Sequence, residues 1–385
     1  GTSVVTASLN GVSSLGVLLT ALAPSFVVDT TADEVNYSDG KTSLREAILA
    51  ANVYSGKTVT FDPSVFASAQ IIHLTLGSLD LTNQVGTEAI LAPAAGLTVD
   101  AGGLSRVFSI APHVTASITG LTITGGAFTG RGGGVYSDRA NLSLINCVVS
   151  GNTAGAGGGV YAVGTADLTD TIVSGNKAVS AGGGIAANNA DLSLTACTVS
   201  GNSANLGGGL YAVYGKANLT GATISGNYAS SYAGGILSAL SDLTLTNSTV
   251  SGNSAYSFGG LYVYSGSAAM TNVTVAANSS SSYGGGGLGA NGVTVSLTNT
   301  IVAGNTAPYG PGDVLGGVSG VNNLIGIGSG GLINGVDGNI VGVANPLLAP
   351  LGDYGGPTQT MALLPGSLAI DAGTSAGAPA TDQRG

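Results

Sequence analysis

The chain has 385 residues, of which 66 are glycine and only 7% are Asp, Glu, Lys or Arg, and its formal net charge is −10. Nine Lys and Arg residues are too few for the clustered cations that nucleic acids require, and they suit an anionic membrane surface poorly. Two cysteines exclude a disulfide framework, and the absence of an uninterrupted run of about 20 apolar residues argues against a membrane span.

Residues 1–26 are apolar and rich in Ser and Thr, which predicts an extended arm or a linker. The stretch Leu15 to Ala23 is apolar enough for the core of a signal peptide, but no basic segment precedes it. The chain also starts at Gly1 without Met. We therefore expect this arm to belong to a mature or trimmed protein.

Residues 27–56 predict a cap with one short helix over residues 43–52. Ser43 and Glu46 form the S-x-x-E pattern of a capping box, and the apolar residues that follow recur at helical spacing. The acidic turn before the helix contains Asp33 and Asp39, which are weak candidates for Ca²⁺ ligands because their spacing does not match an EF-hand. A solvated turn is the preferred interpretation, and no cofactor is expected.

Residues Val27–Asp33, followed by Thr42–Ile48, resemble the CSLREA motif of bacterial surface proteins that carry parallel β-helix domains. The Cys of that motif is Thr42 here, which removes a thiol but leaves the capping box intact. The resemblance implies an exported protein in which this segment caps a β-helix.

Residues 57–345 predict a solenoid, irregular at first and regular over about 121–310. The sequence Ser-Gly-Asn or a close variant, followed by a glycine run, recurs with differences of 24, 26, 25, 26, 25 and 27 residues. A fixed period of this size is typical of stacked coils. The repeat asparagines are Asn152, Asn176, Asn202, Asn227, Asn253, Asn278 and Asn305.

Alignment on these asparagines predicts the strands and corners of one coil. Leu or Met stands eight places before each asparagine and Val or Ile three places before it, which indicates inward faces. Asn, Asp or Gly mostly stands six places before it, where a left-handed corner is tolerated. We therefore predict an all-β, right-handed parallel β-helix with about 25 residues and three short strands per coil.

The repeat asparagines themselves predict a structural ladder, in which each side-chain amide donates to the equivalent carbonyl one coil away. Tyrosines that follow the glycine runs form a second column, interpreted as packing or as a sugar-binding strip, with packing preferred. The candidate glycan strip is Tyr161, Tyr211 and Tyr262. A column of Thr198, Thr223, Thr249 and Thr274 is predicted to face outward, and β-propensity explains it better than ice binding does.

Residues 346–385 are similar to the choice-of-anchor Q region, which closes β-helix surface proteins ahead of anchoring signals. The resemblance covers about 40 residues in order, from Asn345-Pro346 to the final Asp382-Gln383-Arg384-Gly385. Because the family pattern continues past this point, we expect the region to be truncated here.

Catalysis on a β-helix would require carboxylates gathered on one face. Between Arg139 and Gly312 the charged residues are few, and three of them share one column with alternating sign, which predicts a surface charge ladder of Asp191, Lys216 and Asp242. His73 and His113 fall in the irregular coils without a partner in the pattern. The chain is therefore expected not to be an enzyme.

Together these features predict a non-enzymatic structural or adhesive protein, extracellular or at the cell surface. Its expected partner is either a surface polysaccharide or a second copy of itself, with residues 1–26 covering the exposed end of a neighbouring solenoid in a head-to-tail filament or layer. The alternative is a polysaccharide-degrading lyase or hydrolase, or a glycan-binding β-helix protein.

Overall fold

The computed structural model describes residues 24–282 and 284–385, together with the backbone of four short strand segments within residues 1–23. These segments are β1 (Thr2–Val5), β2 (Ser8–Leu9), β3 (Val12–Ser13) and β4 (Val17–Thr20), and they form two antiparallel pairs, β1 with β4 and β2 with β3. The predicted docking of residues 1–26 on a neighbouring molecule rests mostly on side chains outside the described residues and stays a prediction.

The N-terminal cap and the irregular first coils contain one helix and ten strands among the described residues. They are β5 (Val27–Val28), α1 (Leu44–Ala51), β6 (Thr58–Phe61), β7 (Gln70–His73), β8 (Leu79–Leu81), β9 (Thr87–Leu91), β10 (Leu97–Asp100), β11 (Phe108–Ile110), β12 (Thr115–Thr119), β13 (Leu121–Thr124) and β14 (Ala127–Arg131).

The regular coils follow. Their strands are β15 (Val135–Ile145), β16 (Val148–Ser150), β17 (Thr153–Ala156), β18 (Val160–Thr169), β19 (Ile172–Ser174), β20 (Lys177–Ala181), β21 (Ile185–Thr195), β22 (Thr198–Ser200), β23 (Ser203–Leu206), β24 (Leu210–Val213), β25 (Lys216–Thr220), β26 (Thr223–Ser225), β27 (Tyr228–Tyr232), β28 (Ile236–Thr246), β29 (Thr249–Ser251), β30 (Ser254–Ser257), β31 (Leu261–Thr271), β32 (Thr274–Ala276), β33 (Ser279–Ser280), β34 (Leu288–Thr298), β35 (Ile301–Val302), β36 (Val314–Val321), β37 (Leu324–Ile325) and β38 (Ile340–Val341).

These strands stack into three parallel sheets in the described part of the chain. A 12-stranded sheet runs from β7 to β38, a 15-stranded sheet from β5 to β36, and a 7-stranded sheet from β14 to β33. Each strand pairs with its equivalent in the next coil, as Leu144 does with Leu168 and Val149 with Val173. The predicted all-β parallel β-helix is confirmed.

The core is a set of apolar columns that run through the solenoid. The predicted inward positions are at most 1% exposed, and they include Leu144, Leu168, Leu194, Leu219, Leu245, Met270 and Leu297. Alternate residues of each strand point outward, so the long strands show an alternating burial pattern. Burial of these columns is the main term that stabilises the stack.

The corners use left-handed backbone, and one of them was not predicted. Asn146 and its equivalents six places before the repeat asparagines have φ near +50°, as expected. A second left-handed column bends the chain in the middle of the long strands, or between the two shorter strands that replace a long one. Its non-glycine members include His113, Arg139, Asn189, Tyr214, Leu240 and Ser265.

The asparagine ladder is confirmed. Each repeat asparagine donates its side-chain amide to the carbonyl oxygen of the next one at 2.8–3.0 Å, and that oxygen also accepts the backbone N–H of the donor residue. The last of them, Asn305, donates both groups to Asp313, whose second oxygen accepts from the Ile327 N–H at 2.6 Å. A buried carboxylate therefore ends the ladder.

Helix α1 covers the N-terminal end of the solenoid. The Ser43 hydroxyl accepts from the Glu46 N–H, and the Glu46 carboxylate accepts from the Ser43 N–H. Asp33 accepts from Arg45 at 2.7 Å and from the backbone of Thr75 and Leu76. Burial opposes ionisation of Asp33, but these hydrogen bonds outweigh it and lower its pKa.

Residues 346–385 form a C-terminal strap that folds back over the 12-stranded sheet. Thr223 and Thr249 donate to Gln359 O and to the Gln383 side chain, and Asn247 donates to Thr381 O. Thr223 and Thr249 are consequently 0% and 2% exposed. The threonine column predicted to face solvent is therefore partly covered, because the strap lies on it.

The two cysteines are buried and free. Each thiol donates to two backbone carbonyls, as Cys197 does to Leu168 O and Thr195 O. Burial raises the pKa of Cys197 to about 11. Thr171, at the equivalent place in the coil between them, makes the same pair of bonds with its hydroxyl, which identifies this column as packing.

Candidate functional site

Three of the nine Lys and Arg residues gather on adjoining coils at one corner of the solenoid. Arg106 precedes β11, Arg131 ends β14, and Arg139 lies at the left-handed bend of β15. The guanidinium of Arg106 lies 3.9 Å from the Phe128 ring centroid and 4.7 Å from that of Tyr136. The glycine-run corner thus places a cation over aromatic rings, an arrangement that attracts it electrostatically.

Arg131 continues this arrangement one coil further along. Its guanidinium lies 5.0 Å from the Tyr161 ring centroid, and its carbonyl oxygen accepts from Arg106 Nη2 at 3.1 Å. Tyr136 and Tyr161 are themselves neighbours, with ring centroids 5.9 Å apart. Each arginine thus lies over a tyrosine ring, and the two tyrosines belong to neighbouring coils.

Two of the three arginines, Arg106 and Arg131, form no ion pair with any carboxylate that the structure describes. Among the residues that the structure describes, ion pairs join Arg139 to Asp138 at 3.0 Å but include neither Arg106 nor Arg131. The Arg106 Nε is buried without a hydrogen-bond partner. Burial lowers the pKa of Arg106, and nearby Tyr136 and Asp80 partly oppose this shift.

Beside these side chains lies an open groove with a volume of about 400 Å³, called the Arg–Tyr groove below. It combines ring surface with amide, guanidinium and carboxylate groups, which is the mixture found in sites for polar ligands. The bend of the long strands places Arg139 and Asn189 at the groove, with φ of 48° and 52°. Its lining includes Arg131, Tyr136, Asp138, Arg139, Asn188 and Asn189, with Tyr161 beneath Arg131.

The tyrosine column, called the aromatic strip below, begins at this groove and runs from coil to coil along the solenoid axis. It comprises Tyr136, Tyr161, Tyr211 and Tyr262, with Ala186 between the second and third tyrosines and Leu237 between the third and fourth. Tyr262 stacks on Phe258 with ring centroids 4.1 Å apart. Within the strip Tyr161 is only 3% exposed, whereas the other three rings are half-buried.

The residues predicted as a glycan strip or as Ca²⁺ ligands differ in how accessible they are and in which groups they contact. Tyr161 is covered by Arg131, while Tyr211 and Tyr262 keep accessible edges. Asp33 is occupied by Arg45, and Asp39 accepts from the Lys41 N–H in its turn. Within residues 24–282 and 284–385, no three His, Cys, Asp or Glu side chains are grouped so that they could hold a metal ion. In the same residues, no helix has the length and apolar character to span a membrane.

The three charged residues predicted to share one column lie in register on successive coils. Asp191 pairs in register with Lys216, and Lys216 with Asp242. None of these side chains is among the ion pairs of the described residues, so at this separation their mutual attraction is weak and screened by water.

No protein-family model and no curated protein matches the chain. Among solved structures, the chain is similar to pectate lyase Pel9A, with 13% sequence identity and a TM-score of 0.48, over 80% of this chain and 82% of that one. At this identity the likeness concerns the fold and brings no substrate to this chain. The resemblances to the CSLREA and choice-of-anchor Q patterns are not confirmed and remain interpretations.

The prediction that the chain is not an enzyme is wrong as a flat exclusion: a solved structure to which the chain is similar is that of a pectate lyase. The argument behind it counted charges only from Arg139 to Gly312, and it therefore left out Arg106, Arg131 and Asp138. A signal for this cluster was present, since Arg106 and Arg131 are 25 residues apart, which is one coil.

Proposed function

We propose that this protein binds a polysaccharide along the Arg–Tyr groove and the aromatic strip. The observation that carries the proposal is a column of four tyrosines, three of them half-buried with accessible ring surface, that begins in a groove lined by polar side chains. The C–H face of a sugar stacks on an aromatic ring, and its hydroxyl groups bond to amide and guanidinium groups such as those of Asn188 and Arg139.

The geometry favours a polymer over a single sugar. The strip runs along the solenoid axis, where equivalent positions recur at about 4.8 Å from one coil to the next. Contacts that repeat along an extended ligand add to one another, so that weak individual contacts give a useful affinity. The proposed role is adhesion to, or action on, such a polymer outside the cell, where the proteins resembled by the two terminal segments are displayed.

The test measures retardation of the folded protein in native gels that contain soluble polysaccharides, with Tyr136→Ala and Tyr211→Ala variants. Both rings are half-buried, so each substitution should weaken binding about two- to tenfold, because an aromatic contact contributes about 0.5–1.5 kcal/mol. Tyr37→Ala is the matched control, because Tyr37 is 63% exposed in the cap, far from the groove along the chain.

If all three variants migrate like the wild type in every polymer that retards it, the strip is not the binding surface. The same incubations are assayed for new reducing or unsaturated ends. Their appearance above a blank, lost in Tyr136→Ala, would assign cleavage as well as binding to this groove.

A further inference from the structure

Arg131 is the most available cation in the Arg–Tyr groove. Its guanidinium rests on the ring of Tyr161, and no hydrogen bond or ion pair to another described residue engages it. Its guanidinium N–H groups therefore remain available to donate, in the planar fork that matches a carboxylate or a sulfate. The groove therefore offers a ready-made site for an anionic group.

The positive charge around Arg131 contrasts with the acidic character of the whole protein. The formal net charge is −10, so an anionic polymer is repelled by the protein as a whole. At this corner the opposite sign prevails locally, because Arg106 and Arg131 form no ion pair with another described residue and Arg139 is paired with Asp138 at 3.0 Å. A polymer that carries acidic groups would thus be drawn to this corner in preference to the acidic surface elsewhere.

We infer that the polysaccharide is anionic and that Arg131 binds its carboxylate or sulfate groups, with the neighbouring tyrosine rings holding the sugar. This inference rests on the proposed function. Arg106 is a positioning residue: it is partly buried between Phe128 and Tyr136 and donates to the Arg131 carbonyl at 3.1 Å. It therefore fixes the backbone that carries Arg131.

The experiment compares two polymers with one backbone, carboxymethyl cellulose and neutral hydroxyethyl cellulose, by affinity electrophoresis at low and high salt. Wild-type protein should prefer the anionic polymer about tenfold at low salt, and the preference should shrink as salt screens the charges. Arg131→Gln should abolish the preference, so that the anionic polymer retards this variant no more strongly than the neutral polymer does. Arg131→Lys should restore only part of it, because an ammonium lacks the bidentate fork.

Lys177→Gln is the matched control, because it removes the same charge from an exposed position outside the groove lining. It should keep the wild-type preference. Equal retardation of wild type by both polymers, or an intact preference in Arg131→Gln, would overturn the inference and leave the proposed function standing. If neither these nor other polysaccharides retard the wild type, both fail.

Discussion

Asp313 ends the asparagine ladder with a side chain that only accepts hydrogen bonds. Each asparagine inside the ladder both donates to the next residue and accepts from the previous one. The last one, Asn305, needs an acceptor that has no N–H group of its own to satisfy. Asp313 supplies it, and its second oxygen accepts from Ile327. The carboxylate is 2% exposed, and burial raises its pKa although the bonds from Ile327 and Asn305 oppose the shift.

Asp313→Ala should lower the free energy of unfolding by about 2 kcal/mol or more, because it leaves two buried N–H groups of Asn305 without an acceptor and each costs about 1–3 kcal/mol. Urea titration measures this loss. Asp353→Ala is the control, since Asp353 is exposed and accepts from the Gly355 N–H in a turn. Equal midpoints for the two variants would show that the ladder needs no terminal acceptor.

The raised pKa of Asp313 adds a pH signature to this comparison. A carboxyl whose pKa is raised by folding binds its proton more tightly in the folded protein, so its contribution is complete below the unfolded pKa and is lost as pH rises through the raised value. The stability difference between wild type and Asp313→Ala should therefore narrow across that window. A difference that widens with pH would contradict the direction of the shift.

The last glycine of each glycine run is required because neighbouring atoms lie too close for a Cβ, and not because its backbone needs a left-handed conformation. Gly209, the last glycine of its run, has ordinary φ, yet an added Cβ would lie 2.8 Å from Gly235 O and 2.9 Å from Asn227 Nδ2. Gly201, in a Ser-Gly-Asn corner, has φ of +62° and space for a Cβ, and Ala277 occupies the equivalent position in another coil.

Gly209→Ala should therefore destabilise the protein by about 3 kcal/mol or more, from overpacking and a disturbed ladder bond. Gly201→Ala should cost only about 1–2 kcal/mol, the strain of a left-handed alanine. Thermal and urea unfolding of the two variants compare one substitution at two corners. The reverse order of stabilities would mean that backbone freedom, and not space, explains the glycine runs.

What the sequence predicts at this scale depends on repetition. The inward columns, the Asn146 corner and the ladder recur with similar residue types in each coil, so alignment finds them. The bend that contains Arg139, Asn189 and Tyr214 recurs in space, but its residues share no chemical property and leave no pattern. The Arg–Tyr groove depends on that bend. The sequence therefore shows the 25-residue spacing of Arg106 and Arg131 but does not predict the residues that line the groove.

At the scale of the whole molecule, the solenoid is closed by different devices at its two ends. Helix α1 buries Leu44, Ala47 and Ile48 against the first coils, whereas the C-terminal strap returns along one face as far as Gly221. Several strap contacts join residues more than 100 positions apart, and no period predicts them. Contacts between neighbouring coils dominate elsewhere, so a local change should have local consequences.

Gln383 connects the strap to two coils at once, and Gln383→Ala tests that locality. Its amide donates to Thr223 Oγ1 at 3.1 Å and its carbonyl accepts from Thr249 Oγ1 at 2.7 Å, both in the covered face. Loss of the Gln383 side chain leaves the buried Thr249 hydroxyl without its acceptor, whereas the Thr223 hydroxyl keeps its bond to Gln359 O. Hydrogen exchange should accelerate in the strap and in residues 221–251 while residues 57–200 stay protected, because stacked coils open regionally.

Thr381→Ala is the control, since Thr381 contributes its backbone carbonyl to Asn247, which alanine retains. Uniform acceleration along the chain in Gln383→Ala would show that the solenoid opens as a single unit and that the strap stabilises all of it.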